Sequence, residues 1–249
     1  MAHGAAPVTG ALDAEVEVHW PDFTLRAALS VAAGDTIALL GRNGAGKSTL
    51  LAALTGFLPI DSGRIELAGQ VLDDPASGRF VPTEGRPVGL VQQRAALFPH
   101  LSVLDNVAFG LRTSGLGRAA ARTAARDALD AAGLERLAGR PGTSVSGGQA
   151  ARIALLRALV RRPALLLLDE PLAAVDAESR PALRRSIRDD LAAFAGTAII
   201  VTHDVADAEA LTDRAVVLEG GRIVQAGTLR SLREEPALPV VAALVAPRS

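Results

Sequence analysis

The 249-residue chain has no cysteine and no tyrosine, and aromatic residues make up only 3 % of it. Without thiols, neither disulfides nor thiolate metal sites can form, which permits a reducing compartment. The formal net charge is −1, from 26 basic and 27 acidic residues mixed along the chain. That balance supplies no basic field for a nucleic-acid backbone and no acidic tail. Hydrophobic residues reach 49 %, yet no uncharged apolar run approaches the ~18 residues that read as a bilayer-spanning helix. The longest candidate, residues 236–247, is broken by Pro239. Residues 1–11 lack the basic start and apolar centre of a signal peptide. These absences describe a soluble or peripheral protein inside the cell, long enough for one good-sized core with or without a small subdomain.

What is present is a set of short motifs. The apolar run at 36–40 fits a buried parallel strand and leads into Gly41-Arg42-Asn43-Gly44-Ala45-Gly46-Lys47-Ser48-Thr49. Glycines at these spacings let the backbone turn so that successive N–H groups, a helix N-terminus and Lys47 surround phosphate oxygens. An ordinary strand-to-helix turn is the alternative for a lone glycine-rich loop; Gly-Lys-Ser-Thr argues against it. In this Walker A pattern Lys47 contacts the β- and γ-phosphates, and the Ser48 hydroxyl faces Mg²⁺. Downstream, four leucines end in Asp169-Glu170, so a buried strand delivers two carboxylates to its carboxyl end, where open α/β sheets place ligands. Asp169 then supports the metal and Glu170 polarises the attacking water; solvated acids at a strand end are the alternative.

Residues 47–54 form a helix stopped near Gly56, and residues 64–67 and 88–91 read as strands separated by a polar, Pro- and Gly-rich segment, 73–86. From Ser102 to about Arg162 the texture is Ala-, Leu- and Arg-rich with helical spacing, broken at Gly115, Gly133 and Pro141. Strands follow at 164–168, 197–201 and 215–218, with a helix from about Glu178, another after Asp204, and a hairpin turn at Gly220-Gly221.

Val145-Ser146-Gly147-Gly148-Gln149, lying before the leucine strand, completes a pattern that resembles the ATP-binding subunit of ABC transporters over residues 12–235. The resemblance implies an α/β fold: a P-loop NTPase core with an N-terminal antiparallel β portion and an inserted helical subdomain. The core is expected over 12–91 and 163–235, the insert over about 92–162, and a tail without a regulatory domain over 236–249. The implied cofactors are ATP and Mg²⁺. ATP is held by Gly41, Asn43, Gly44, Ala45, Gly46, Lys47, Ser48 and Thr49, and Mg²⁺ by Ser48, Gln93 and Asp169. Glu170, Gln93 and His203 are the implied catalytic set, although Gln92 beside Gln93 is open as an alternative and either glutamine can simply face solvent. His203 matches the switch histidine that reaches the γ-phosphate, whereas His3 and His19 have no catalytic context. Ser146, Gly147, Gly148 and Gln149 match the signature that meets nucleotide held by a second copy, and Asp176 matches an aspartate crossing the same interface. Capping of the next helix is the alternative for Asp176.

Several positions depart from the family pattern: Val145 for leucine, Ala150-Ala151 for a polar pair, and Ala174-Val175 before Asp176. With no tyrosine, adenine stacking falls to Trp20, with Phe23 second and core burial equally open for both. The stretch 96–103, Ala-Leu-Phe-Pro-His-Leu-Ser-Val, resembles the groove by which importer cassettes receive a membrane subunit. The implied partners are a second copy in the ATP-bound state, a transmembrane permease docking on the region from Gln93 to Ser102, and indirectly a substrate-binding protein, with no nucleic acid. The implied place is the cytoplasmic face of the membrane. Val71-Leu72-Asp73-Asp74 and Gly89-Leu90-Val91 look most like molybdate and related oxyanion importers; sulfate, iron and polyamine importers, or a non-transport ABC ATPase, are the alternatives.

Overall fold

The computed structural model describes residues 11–173 and 175–246. His3, Ala174 and the last three residues, including the end of the 236–249 tail, lie outside the described residues. Strand β1 (Leu12–Trp20) alternates apolar and polar side chains, burying Leu12, Ala14, Val16 and Val18 on one face. It pairs antiparallel with β2 (Phe23–Val31). β3 (Thr36–Leu40) leads through the glycine-rich loop into α1 (Lys47–Thr55), which stops at the left-handed Gly56. There follow β4 (Ser62–Leu67), β5 (Gln70–Asp74), the two-residue β6 (Arg79–Phe80) and β7 (Val88–Val91). Three helices come next: α2 (Val103–Thr113), α3 (Arg118–Ala131) and α4 (Gly147–Leu159). The chain then alternates β8 (Leu165–Asp169), α5 (Arg180–Ala192), β9 (Thr197–Thr202), α6 (Val205–Leu211) and β10 (Arg214–Glu219). It continues with β11 (Arg222–Thr228), α7 (Leu229–Glu234) and α8 (Pro239–Val245).

The strands form one sheet in the order β6-β5-β4-β1-β2-β11-β10-β3-β9-β8-β7. Neighbours from β10 to β7 run parallel, and those from β6 to β2 antiparallel. β11 joins the two regions, antiparallel to β10 and parallel to β2. In the parallel region Leu40 lies opposite Thr202, and Asp169 opposite Val201. The carboxyl ends of β3, β8 and β9 therefore share one edge, the edge where such sheets receive ligands. β8 and β9 sit between strands and beneath helices, so their side chains are buried on both faces, as continuous apolar runs require. Helices α2, α3 and α4 enclose an apolar core of their own around Val107, Ala125, Leu129 and Ile153.

The polar 73–86 segment is not simply a surface connection, because Asp73 and Arg86 are buried. Arg86 Nε donates to Val81 O at 2.6 Å, and its Nη1 donates to Ala53 O and Leu54 O at 2.7 and 3.1 Å. Its Nη2 lies 3.5 Å from Asp73 Oδ2. The guanidinium thus closes the last turn of α1 and anchors β5, which a reading of polarity alone cannot foresee. The helix expected from about Glu178 begins at Arg180, with Pro181 in its first turn. Pro239 opens α8, where its fixed φ and missing N–H cost nothing, and Val241 and Val245 pack into the core.

Candidate active site

The glycine-rich loop is shaped by contacts only glycine allows. Gly46 caps α1 at φ 107°, and a Cβ there would stand 2.8 Å from Phe23 Cζ. The predicted β10–β11 turn braces the loop from behind. Gly221 N donates to Ala45 O at 3.0 Å, and a Cβ on Gly221 would lie 2.1 Å from Thr24 O. Lys47 folds across the loop, its Nζ donating to Gly41 O at 2.6 Å and Arg42 O at 3.0 Å. Burial pushes its pKa down, opposed by the nearby Glu170, Asp169 and Glu219 carboxylates.

Asp169 and Glu170 leave the end of β8 side by side. Burial raises the Asp169 pKa and the Glu170 charge raises it further, while Lys47 pulls it down. Glu170 adopts φ 48°, a left-handed conformation uncommon for a non-glycine residue. Its N–H donates to Val201 O at 2.9 Å, which ties the turn to the neighbouring strand. His203, just past β9, places Nδ1 2.6 Å from Glu170 Oε1. Thr202 Oγ1 lies 3.4 Å from Glu170 Oε2 and accepts the Asp204 N–H at 3.1 Å. Thr202 was not singled out from sequence; its position directly before His203 on an apolar strand is the signal that marks it.

A cleft of about 490 Å³ brings Phe23, Lys47, Gln93, Asp169, Glu170 and His203 together with Asn43, Gly44, Gly46, Ser48 and Thr49. Gln93 lines it, whereas its neighbour Gln92 does not. Gly41 and Ala45 line a second cleft, which shares Asn43, Gly44 and His203 with the first. Trp20 is 51 % exposed, so core burial is excluded for it, and Phe23 rather than Trp20 lines the phosphate cleft. The oxygen donors here (a hydroxyl at Ser48, an amide at Gln93 and a carboxylate at Asp169) are hard ligands that suit Mg²⁺ completed by phosphate and water. Among the described residues no cluster of three or more His, Cys, Asp or Glu forms a self-contained metal site.

Ser146, Gly147, Gly148 and Gln149 do not line this cleft. They open α4 with a capping box: Ser146 Oγ accepts the Gln149 N–H at 3.3 Å, and Gln149 Oε1 accepts the Ser146 N–H at 3.1 Å. Asp176 accepts the Ser179 N–H at 2.8 Å, which holds its carboxyl below the usual range, and it too lies away from the cleft.

A parallel sheet region with a glycine-rich phosphate loop after β3 and paired carboxylates at the end of β8, with β9 between the two strands, defines a P-loop NTPase. A family profile described as "ABC transporter" matches residues 25–173. The chain belongs to the ABC transporter family, and its fold is that of the ABC cassette. It is similar to an "Fe(3+) ions import ATP-binding protein FbpC" of Rhizobium etli, 44 % identical over 86 % of this chain and 59 % of that protein. It is also similar to a "Molybdenum import ATP-binding protein ModC" of Mycobacterium tuberculosis, at 42 % over 92 % of this chain and 60 % of the relative. A "Spermidine/putrescine import ATP-binding protein PotA" of Roseobacter denitrificans is 39 % identical over 94 % of this chain and 64 % of its own length. The chain thus spans about three-fifths of the length of the curated relatives it matches. Among the described residues no helix is long and apolar enough to cross a membrane.

Proposed function

We propose that the chain binds ATP with Mg²⁺ and hydrolyses it as the nucleotide-binding subunit of an ABC importer, peripheral to the cytoplasmic face of the membrane. The observation that carries this reading is the convergence of Lys47, Ser48, Gln93, Asp169, Glu170 and His203 on one cleft. Phosphoryl transfer asks the protein for position and charge rather than covalent chemistry, and that set provides both. The loop N–H groups and Lys47 hold the phosphates. Ser48, Gln93 and Asp169 hold Mg²⁺, which when bound neutralises charge on the β- and γ-phosphate oxygens. Glu170, oriented by His203 and Thr202, accepts a hydrogen bond from the attacking water. The signature residues and Asp176, which do not line this cleft, serve a second copy, so the ATP-bound form is a homodimer with two shared sites. The test is phosphate release that requires Mg²⁺ and disappears in Lys47→Ala.

The division into a core, 12–91 with 163–235, and a helical subdomain near 92–162 is supported by the separate apolar core of α2–α4. A groove of about 420 Å³ lies between those parts, lined by Val88, Leu90, Phe98, Phe109, Arg157 and Arg161. It adjoins the 93–102 segment and suits a short helix of a permease subunit. Weaker association of Phe98→Asp with the permease is the expected result; unchanged association contradicts docking there.

For cargo, we propose a small oxyanion, molybdate, on the stretches at 71–74 and 89–91, supported by the 42 % likeness to a molybdenum import protein over 92 % of this chain. Iron is the second reading, favoured by 44 % identity to an iron import protein. Hydrolysis by the reconstituted importer is expected to rise when molybdate is added to its binding protein. A response to iron, sulfate or a polyamine instead overturns the molybdate reading and leaves the importer reading standing.

A further inference from the structure

Arg157 sits near the end of α4, eleven residues after the Ser146 cap, about 16 Å along the helix. Its Nη1 donates to Ala96 O at 2.9 Å and its Nη2 to Ala95 O at 3.1 Å. The same guanidinium lies 5.3 Å from the centroid of the Phe98 ring, which packs 4.5 Å from Phe109 on α2. Asn106, fully buried on α2, holds the other side of the turn: Phe98 N donates to its Oδ1 at 2.7 Å, and its Nδ2 donates to Phe98 O at 3.1 Å. The segment that follows Gln93 is therefore gripped by α4 at two successive carbonyls and by α2 at the next turn. Only arginine meets two carbonyls with one planar fork while covering an aromatic face; a lysine ammonium reaches one carbonyl and cannot stack in the same way.

We propose that Arg157 is a positioning residue that locks the loop carrying Gln93 to the helix whose start carries the signature residues, so that the two move as one body. This rests on the assignment of Gln93 and Ser146 to nucleotide sites made under Proposed function. A push on the groove at Phe98 reaches α4 directly through the guanidinium, without passing through the sheet. Gln93 in one site and Ser146 at the opposite site are then withdrawn or presented together. The arrangement uses a rigid helix and a charge-assisted clamp, both of which transmit displacement rather than absorb it.

The test compares the whole chain with its Arg157→Lys variant by hydrogen exchange and by steady-state hydrolysis. Amides in residues 94–98 are expected to exchange about tenfold faster in the variant, with β8 and β9 unchanged. kcat should fall about tenfold with KM within about twofold, and Gln93→Ala should abolish the further effect of Arg157→Lys on kcat. Unchanged exchange at 94–98 overturns the proposal. So do kcat losses that add in the double variant, or faster exchange spread over α4 with a lower melting temperature, the signature of a merely structural role. The exchange measurement needs no ATP hydrolysis, so a wild-type chain without ATPase activity refutes the hydrolysis reading while the clamp is still judged on exchange.

Discussion

His203 Nδ1 stands 2.6 Å from Glu170 Oε1, bringing the end of β9 onto the carboxylate that follows β8. The contact fixes a glutamate that its left-handed backbone has already turned toward the cleft. His203→Ala should therefore lower kcat by about 10²-fold, the usual scale for a misplaced general base. ATP affinity, measured by equilibrium binding, should change little, because the phosphate loop is untouched.

Asp169 gives a pH prediction. Burial raises its folded pKa above the ordinary value of 3.8, so the folded state binds more protons than the unfolded chain between 3.8 and that raised value. Stability then falls as pH rises through this window, and at neutral pH the charged carboxylate is a net cost. Without nucleotide or metal, Asp169→Asn should be more stable than the parent at pH 7, with the gap closing toward pH 3.8. Denaturant titration at several pH values checks it; an advantage that persists in acid contradicts the assigned cause.

Removal of Arg86 leaves Asp73 buried without its cation and α1 without the donor to Ala53 and Leu54. Arg86→Met should cost about 3–5 kcal/mol in denaturant unfolding, and adding Asp73→Leu should recover part of that loss.

Much of this architecture is readable in the residues. The runs at 36–40, 165–168 and 197–201 are apolar on both faces because parallel strands are covered on both sides, so their identity does not depend on distant partners. Lys47, Asp169 and Glu170 are readable from local motifs and Gln93 and His203 from the family resemblance, and the cleft unites them because the strands they follow end on one sheet edge. What was not legible depends on contacts between remote segments. The insertion of β11 between β2 and β10 is one such case, as is the burial of Arg86 against the end of α1. Arg157 read only as part of a helical texture, since the carbonyls it holds lie about sixty residues earlier. Pro239 looked like a break because the helix it starts is stabilised by packing on the core.

The shared-site reading is tested by mixing inactive partners. Lys47→Ala should fail to hold nucleotide, and Ser146→Arg should block the opposing site, so each alone is expected to hydrolyse little ATP. A mixture contains heterodimers with one intact pair of surfaces, and phosphate release should reappear on mixing. No recovery, with both variants folded by circular dichroism, contradicts sharing between copies.

The role of Glu170 in hydrolysis is tested by phosphate release from Glu170→Gln at ATP concentrations where equilibrium binding shows the sites to be saturated. Binding should stay close to that of the parent, Mg²⁺-dependent hydrolysis should fall by about 10³-fold, and the variant should sediment as a dimer only with ATP. Hydrolysis at the parental rate would contradict that role, because the carboxylate held by His203 would then have no part in turnover.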